Sequence, residues 1–295
     1  MRRALHTAAL ALLVFLCRAS FGGARPADAA RAPAPMRVVR DVVYGPDARQ
    51  RFDVYIPGEA KGAPVIFMVH GGGWSAGDKR ARGVVDNKVA RWLPRGLVVV
   101  STNYRLLPAA KPLDQARDVA RALAAAQRMA SSWGADSSKF ILMGHSAGGH
   151  LVTLVATAPA AREGANVLPW LGVVSLEGGA IDVPAIMRRA HARLYDRAFG
   201  RDSAYWRATS PSDALAAATA PMLLVCSARR GSGCADAERF AAKAAPSGTR
   251  VAILRETLTH AEADHLVGKD SAYTAGIERF LASLDSTVAR RLAVR

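Results

Sequence analysis

The sequence predicts an α/β fold with a mostly parallel central sheet and helices on both faces of it. Short apolar runs alternate with amphipathic segments along most of the chain, which is typical of strands buried on both sides. The apolar run 139–143 leads through the pentapeptide GHSAG at 144–148 into an apolar helical segment, so that a strand, a tight turn and a helix follow one another. The 295 residues, 51% hydrophobic and 22% charged, are enough for one large domain of this class.

The first 30 residues have the pattern of a secretory signal peptide. A positively charged start precedes an apolar run at 8–17 that is too short to span a membrane, and small residues follow it. Cleavage is expected at one of the alanines between 24 and 30, leaving a linker at 31–37 and a single domain at 38–290. A periplasmic or secreted protein with no integral membrane span is therefore predicted.

The strongly basic composition does not indicate a nucleic-acid partner. The formal net charge is +16, but the basic residues are mostly arginines that are scattered along the chain. Nucleic-acid binding is expected to concentrate basic charge in one patch or run. We therefore expect no nucleic-acid partner, and the sequence leaves the oligomeric state open.

The predicted elements begin with a hairpin and continue as alternating strands and helices. Segments 38–44 and 51–56 alternate apolar and polar positions around a Gly-Pro-Asp turn, which predicts an antiparallel hairpin at the sheet edge. Continuous apolar runs predict further strands at 65–69, 97–101, 139–143, 171–176, 222–226 and 251–254. Helical periodicity predicts helices at 114–133, after Ser146 and at 273–284. Residues 182–215 contain no clear strand and are predicted to form a small cap.

A second glycine-rich motif strengthens the interpretation of the first. The predicted strand 65–69 runs directly into His-Gly-Gly-Gly-Trp at 70–74. Consecutive glycines leave backbone N–H groups unobstructed, so that they can bind the oxyanion formed during acyl transfer. Each motif alone is compatible with an ordinary tight turn, whereas the two together in this order predict a serine nucleophile and its oxyanion hole.

Three segments together resemble a known superfamily. HGGGWSAGDK at 70–79, NYRL at 103–106 and GHSAGGH at 144–150 are similar to the alpha/beta-hydrolase superfamily. Within it, the chain resembles the feruloyl-esterase-like and hormone-sensitive-lipase-like carboxylesterases. The resemblance covers about residues 40–285 and is most specific in the first half of the chain.

The resemblance implies a site and an activity. Ser146 would be the nucleophile, and the backbone N–H groups of Gly72, Gly73 and Ala147 would form the oxyanion hole. The expected function is an exported serine hydrolase that cleaves a small-molecule carboxylic ester through an acyl-enzyme, with no cofactor and no metal. The same machinery also fits an amidase such as an arylformamidase, a small peptidase, or a catalytically impaired binding protein.

The general base is expected to be a histidine on the loop after the last strand, as in the resembling family. His260 lies in that loop, and His265 is the competing candidate, with a helix-surface position as its alternative role.

The acid of the triad is the point at which the sequence departs from the family. The family normally places an aspartate just after the strand that ends near Cys226, and residues 227–234 contain no acidic residue. Asp236, at the start of the following helix, and Asp182, after the preceding strand, are the candidates, and a missing acid is the third possibility. Helix-capping and dipole effects are alternative roles for both. Asp264 is expected to be solvated.

Cys226 and Cys234 are the two cysteines that follow the predicted signal peptide. An even pair in an exported chain predicts a disulfide, and two free buried thiols are the alternative. Such a bridge would hold the loop that carries Asp236 and offers a way to bring that carboxylate towards His260.

Overall fold

The computed structural model describes residues 36–229, 231 and 233–294, and these belong to one compact unit. The predicted signal peptide lies outside the described residues. None of the helices in these ranges is both long and apolar enough to cross a membrane.

A single eight-stranded sheet forms the centre of the molecule, in the order β1-β2-β4-β3-β5-β6-β7-β8. Its strands are β1 (Arg37–Val43), β2 (Arg51–Ile56), β3 (Ala63–Val69), β4 (Val98–Thr102), β5 (Ala135–His145), β6 (Gly172–Leu176), β7 (Met222–Ser227) and β8 (Val251–Glu256). The pairs β1–β2 and β2–β4 are antiparallel, and every other pair is parallel. The predicted mostly parallel sheet, with a hairpin at its edge, is therefore confirmed.

Twelve α-helices lie within the described residues. They are α1 (Arg82–Trp92), α2 (Pro112–Met129), α3 (Ala147–Thr157), α4 (Pro159–Arg162), α5 (Val183–Met187), α6 (Arg193–Phe199), α7 (Ser203–Ala208), α8 (Pro211–Ala214), α9 (Gly233–Ala244), α10 (Glu262–His265), α11 (Ala272–Ala282) and α12 (Ser286–Ala293). Short 3-10 segments follow α2 and α9. The segment predicted as a cap, 182–215, contains α5 to α8 and no strand.

The helices cover both faces of the sheet, as strand β3 illustrates. Val65, Phe67 and Val69 belong to the apolar core that also contains buried residues of α2 and α3. Ile66 and Met68 point the other way, into the core that contains buried residues of α1 and α11. Because successive side chains of a strand alternate between faces, one continuous apolar run supplies both cores.

Helix α1 is missing from the sequence-based prediction, and its buried face explains why. That face contains the charged residue Lys88 beside Val84, Val85 and Trp92, so that it lacks a clear apolar stripe. The helix is held against α11 by Arg91, whose guanidinium donates to both carboxylate oxygens of Glu278 at 2.9 and 2.8 Å. Tertiary contacts rather than apolar periodicity thus place this helix.

A disulfide joins Cys226, in β7, to Cys234, in the first turn of α9. Reduction is expected to lower the melting temperature by about 4–10 °C, because a short closed loop contributes about 2–3 kcal/mol in the chain-entropy model. Thermal melts followed by circular dichroism, with and without reductant, measure this shift. The variant Cys226→Ser/Cys234→Ser should melt like the reduced protein and be insensitive to reductant. An unchanged melting temperature on complete reduction would contradict the prediction.

Candidate active site

Ser146 sits on a strained turn at the carboxyl end of β5. Its φ of 54° and ψ of −119° are rare for a residue with a side chain. The turn is held on both sides, because the Ser146 N–H donates to Leu176 O at 3.0 Å and the Ser146 carbonyl accepts from His150 N at 3.0 Å. This geometry is that of a nucleophile elbow, which presents a hydroxyl at the edge of the sheet.

The glycines around Ser146 are a steric requirement. A Cβ on Gly144 would lie 2.3 Å from Gly148 O, and a Cβ on Gly148 would lie 2.2 Å from Val69 O. A Cβ on Gly149 would approach the Cα of Gly178 to 2.8 Å. Strand β5, helix α3 and the loop after β6 therefore meet too closely at this turn for side chains.

His260 is the histidine that the fold brings to Ser146. It lies on the turn between β8 and α10, and its Nε2 is 2.8 Å from Ser146 Oγ, within range for direct proton transfer. The competing candidate, His265, packs its ring against α1 instead, where a Cβ on Gly83 would lie 2.0 Å from the ring Cδ2. Of the two candidates, only His260 contacts the serine.

The carboxylate that contacts His260 belongs to Glu177, a residue that the sequence analysis did not consider. Glu177 directly follows β6, is 5% exposed and adopts a φ of 48°. Its Oε2 lies 3.2 Å from His260 Nδ1, and its Oε1 accepts a hydrogen bond from the Ser227 N–H at 2.6 Å. Serine, histidine and carboxylate are thus arranged in series, as the roles in a catalytic triad require.

The two aspartates proposed for this position are engaged elsewhere. Asp236 lies in the first turn of α9 and forms ion pairs with Arg189, at 3.0 Å, and with Arg239. Asp182 caps α5, where its Oδ1 accepts from Ala185 N at 2.9 Å. Both predictions for the acid are wrong. The disulfide does not bring Asp236 to His260.

A signal for Glu177 was present in the sequence. The residue is the first one after the apolar run 171–176 and is followed by two glycines, so that it stands at the carboxyl end of a buried strand. That strand, β6, is the direct neighbour of β5, which carries the nucleophile. An acidic residue at the end of a parallel strand therefore lies at the same edge as Ser146.

The glycine loop lies against the nucleophile. A Cβ on Gly71 would be 3.0 Å from Ser146 Cβ, and Gly72 and Gly73 adopt φ values of 120° and 57°. Within residues 36–229 and 233–294, neither Gly72 nor Gly73 donates its N–H to a protein acceptor. Ala147 is the first residue of α3, a position whose N–H lacks an intrahelical acceptor. All three N–H groups named from the resemblance are thus available to an oxyanion.

His70 orders this loop in a neutral form. Its Nδ1 donates to Gly71 O at 2.7 Å, its ring stacks on Tyr104 at 4.5 Å between centroids, and its carbonyl accepts from the Tyr104 hydroxyl at 2.9 Å. Burial lowers the pKa of His70 to about 4, so that it carries no charge at neutral pH.

Trp74 packs the loop down and connects it to the cap. It is 2% exposed, and its ring contacts those of Tyr195 and Phe199 in α6. Its Nε1 donates to His150 Nδ1 at 3.2 Å, and His150 Nε2 in turn donates to Thr209 O at 2.8 Å. Burial lowers the pKa of His150 to about 4, and the neutral imidazole can accept at one nitrogen and donate at the other.

Residues of the other family-like segments brace the site from behind. Asn103 Oδ1 accepts from Lys79 N at 2.6 Å. Arg105 forms two hydrogen bonds with the buried carboxylate of Asp118, at 2.7 and 2.8 Å. None of these contacts involves Ser146 or His260, so that they hold loops in place.

A cavity of about 310 Å³ opens beside the acid. Glu177, Gly178 and Gly179 form part of its wall, together with Tyr195 of the cap. Arg189 and Asp236, the ion pair between the cap and α9, also line it. The cavity therefore combines apolar and charged surfaces next to the Ser146–His260–Glu177 series.

The fold and this site together define an alpha/beta-hydrolase of the esterase group. A family model, BD-FAE, matches residues 52–225, more than half of the chain, and the chain belongs to that family. The matched range includes the glycine loop, Ser146 and Glu177, whereas His260 lies beyond it.

Curated relatives match a shorter stretch. The chain is 32% identical over 128 residues to a probable isoprenylcysteine alpha-carbonyl methylesterase, ICME, of Oryza sativa subsp. japonica, covering 43% of this chain and 30% of the relative. It is 34% identical over 153 residues to the probable carboxylic ester hydrolase LipM of Mycobacterium tuberculosis, covering 46% of this chain and 34% of the relative. The alignments thus span about a third of the length of these relatives.

Solved structures match over nearly the whole fold. Esterase B from Lactobacillus rhamnosis superimposes with a TM-score of 0.70 at 20% identity, covering 88% of this chain and 89% of that one. A truncated carbohydrate esterase from gut microbiota superimposes with a TM-score of 0.70 at 17% identity, covering 86% and 96% of the two chains. At these identities the likeness establishes the fold alone.

Proposed function

We propose that this protein is an exported serine hydrolase that cleaves carboxylic esters through an acyl-enzyme intermediate. The observation that carries the proposal is the series from Ser146 Oγ to His260 Nε2, at 2.8 Å, and from His260 Nδ1 to Glu177 Oε2, at 3.2 Å. Membership in a family of esterases favours an ester over an amide or a peptide. The same series argues against the alternative of a binding protein without catalysis.

In the proposed reaction, Ser146 Oγ attacks the ester carbonyl while His260 Nε2 accepts its proton. The negative charge that develops on the carbonyl oxygen is received by the N–H groups of Gly72, Gly73 and Ala147. Return of the proton from His260 to the leaving alcohol produces the acyl-enzyme, and a water activated by the same histidine hydrolyses it. Glu177 keeps the proton on Nδ1 and stabilises the imidazolium that forms in each half-reaction.

Export rests on the pattern of residues 1–30, a charged start, a short apolar run and small residues. A disulfide between Cys226 and Cys234 is consistent with an oxidising compartment, the periplasm or the medium. The proposed partner is a small ester, and neither a nucleic acid nor a membrane span is part of the proposal.

Burst kinetics test the proposed route. Mixing the purified protein with p-nitrophenyl acetate or butyrate is expected to release about one equivalent of p-nitrophenol per active site, followed by slower turnover, because acylation precedes deacylation. A fluorophosphonate should inactivate the protein, and peptide mapping should locate the adduct on Ser146.

The same assay distinguishes the alternatives. Faster turnover of the matched p-nitroanilides than of the esters would favour an amidase. Absence of both turnover and phosphonate labelling, over acyl chains from acetate to octanoate, would overturn the proposed function and favour a binding protein.

A further inference from the structure

His145, the residue before the nucleophile, holds the main chain of the proposed base. Its ring lies beside the ring of His260, with 4.6 Å between centroids, and its Nε2 is 2.8 Å from the carbonyl oxygen of His260. A carbonyl oxygen only accepts hydrogen bonds, so that the proton of His145 must reside on Nε2. The residue adjacent to Ser146 therefore donates directly to the backbone of His260.

The ring of His145 also contacts the glycine loop. A Cβ on Gly71 would lie 3.1 Å from His145 Nδ1, and the side chain of His145 is only 12% exposed. The ring is thus confined between the loop that would bind the oxyanion and the turn that carries His260. Its orientation is set from both sides.

A buried ion pair lies against the remaining nitrogen of His145. Asp264 Oδ2 is 3.7 Å from His145 Nδ1, and Asp264 Oδ1 is 2.7 Å from Lys88 Nζ. Lys88 is completely buried, and its ammonium also donates to the carbonyl oxygens of Asp264, at 2.8 Å, and Gly83, at 2.9 Å. Asp264 is 4% exposed, so the expectation that it is solvated is wrong.

The charge of Lys88 decides which groups around His145 carry a proton. The charged and titratable groups that face its ring are Asp264 from α10, Lys88 from α1 and His260 from the preceding turn. Because Lys88 already compensates Asp264, the carboxylate does not require a second cation. Burial lowers the pKa of His145 to about 4, which leaves the ring neutral at pH 7.

We propose that His145 is a positioning residue for His260, and that the Lys88–Asp264 ion pair keeps His145 neutral while it acts. The inference deepens the proposed function, since it assumes that Ser146 and His260 react together. The neutral ring fixes the backbone of the base without placing a cation beside its imidazole. The nucleophile and the base are thereby mounted on consecutive parts of one turn.

Two substitutions of His145 test the hydrogen bond. In His145→Leu the carbonyl of His260 loses its donor, and kcat is expected to fall about 10- to 100-fold while KM changes less than about 3-fold. In His145→Gln the amide nitrogen reaches the same place as Nε2, and most of the lost kcat should return. Equal kcat in His145→Leu and the wild type would overturn the proposal, as would an equal loss in both variants.

Substitutions of the ion pair test the charge. In Lys88→Met the unbalanced Asp264 is expected to draw a proton onto His145 and raise its pKa by about one unit or more. The resulting cation beside His260 should move the acid limb of the kcat/KM profile to lower pH. Lys88→Met/Asp264→Asn removes both charges and should restore the wild-type limb.

Arg91→Met is the matched control, because it breaks another partly buried ion pair of α1, with Glu278, away from the triad. It should lower the melting temperature without moving the acid limb. An acid limb that is unmoved in Lys88→Met, or equally moved in Arg91→Met, would reduce the ion pair to a structural role and overturn this part of the proposal.

One measurement needs neither variants nor turnover. Nuclear magnetic resonance of the wild type with ¹⁵N-labelled histidine should show His145 as the neutral tautomer protonated at Nε2, throughout pH 6–8. A tautomer protonated at Nδ1, or a charged ring at pH 7, would overturn the proposal even if the protein hydrolyses esters. The expected tautomer in a protein without turnover would instead place the failure with the proposed function.

Discussion

Ser146→Ala is expected to abolish ester turnover, with kcat reduced by about 10⁶, while the protein stays folded. The substitution removes the nucleophile and leaves the oxyanion donors and the binding surfaces in place. Alanine and serine are equally strained at a φ of 54°, so that the melting temperature should change by less than about 2 °C. Steady-state kinetics with a p-nitrophenyl ester and a thermal melt measure the two effects.

Two further variants sharpen this prediction. Ser146→Gly should be equally inactive but more stable than the wild type by up to about 1 kcal/mol, because glycine adopts a positive φ without strain. Ser132→Ala, before the start of β5 at the other end of the sheet, should retain full activity. Turnover in Ser146→Ala above about 1% of the wild-type rate would remove Ser146 from the mechanism.

Glu177→Gln is expected to lower kcat by about 10³ to 10⁴. The Ser227 N–H requires an acceptor, and this keeps the amide oxygen of the new side chain where Glu177 Oε1 is. The amide NH₂ would then face His260 Nδ1 and favour the tautomer protonated on Nε2. That tautomer cannot accept the proton of Ser146, so that the base is disabled although its position is unchanged.

The other acids are the matched controls for Glu177. Asp236→Asn and Asp182→Asn should each keep kcat within about 3-fold, because their contacts are to Arg189 and Arg239 and to the helix α5. Steady-state kcat of the three variants, measured side by side, decides the assignment. A collapse in Asp236→Asn with full activity in Glu177→Gln would reverse it.

Most of the fold was predictable because it depends on local patterns. Parallel strands buried on both faces leave apolar runs, and all eight strands were located from such runs or from the alternation of the hairpin. The two glycine motifs were equally legible, since close approach of backbones leaves no room for another residue at positions such as Gly144 and Gly148. His260 followed from its place after the last strand.

The acid was not predictable in the same way, because its role depends on contacts distant in sequence. Glu177 reaches His260 from the end of β6 with a positive φ and with support from Ser227, and neither feature is encoded in a local pattern. Asp264 and Lys88 were likewise hidden, since each looks like a surface residue until α1 and α10 pack together. Charged residues that are buried in pairs leave no apolar periodicity by which they can be recognised.

The contact of Trp74 with the cap limits how this scaffold can be re-engineered. Exchange of the cap between homologues is a natural route to new substrate preferences, and it treats the cap as a module. Here the indole that follows the glycine loop is wedged against Tyr195 and Phe199, so that a transplanted cap without an equivalent aromatic pair would leave that indole unsupported. A chimera would therefore have to carry these two residues along with its new specificity, or lose catalytic power together with the old one.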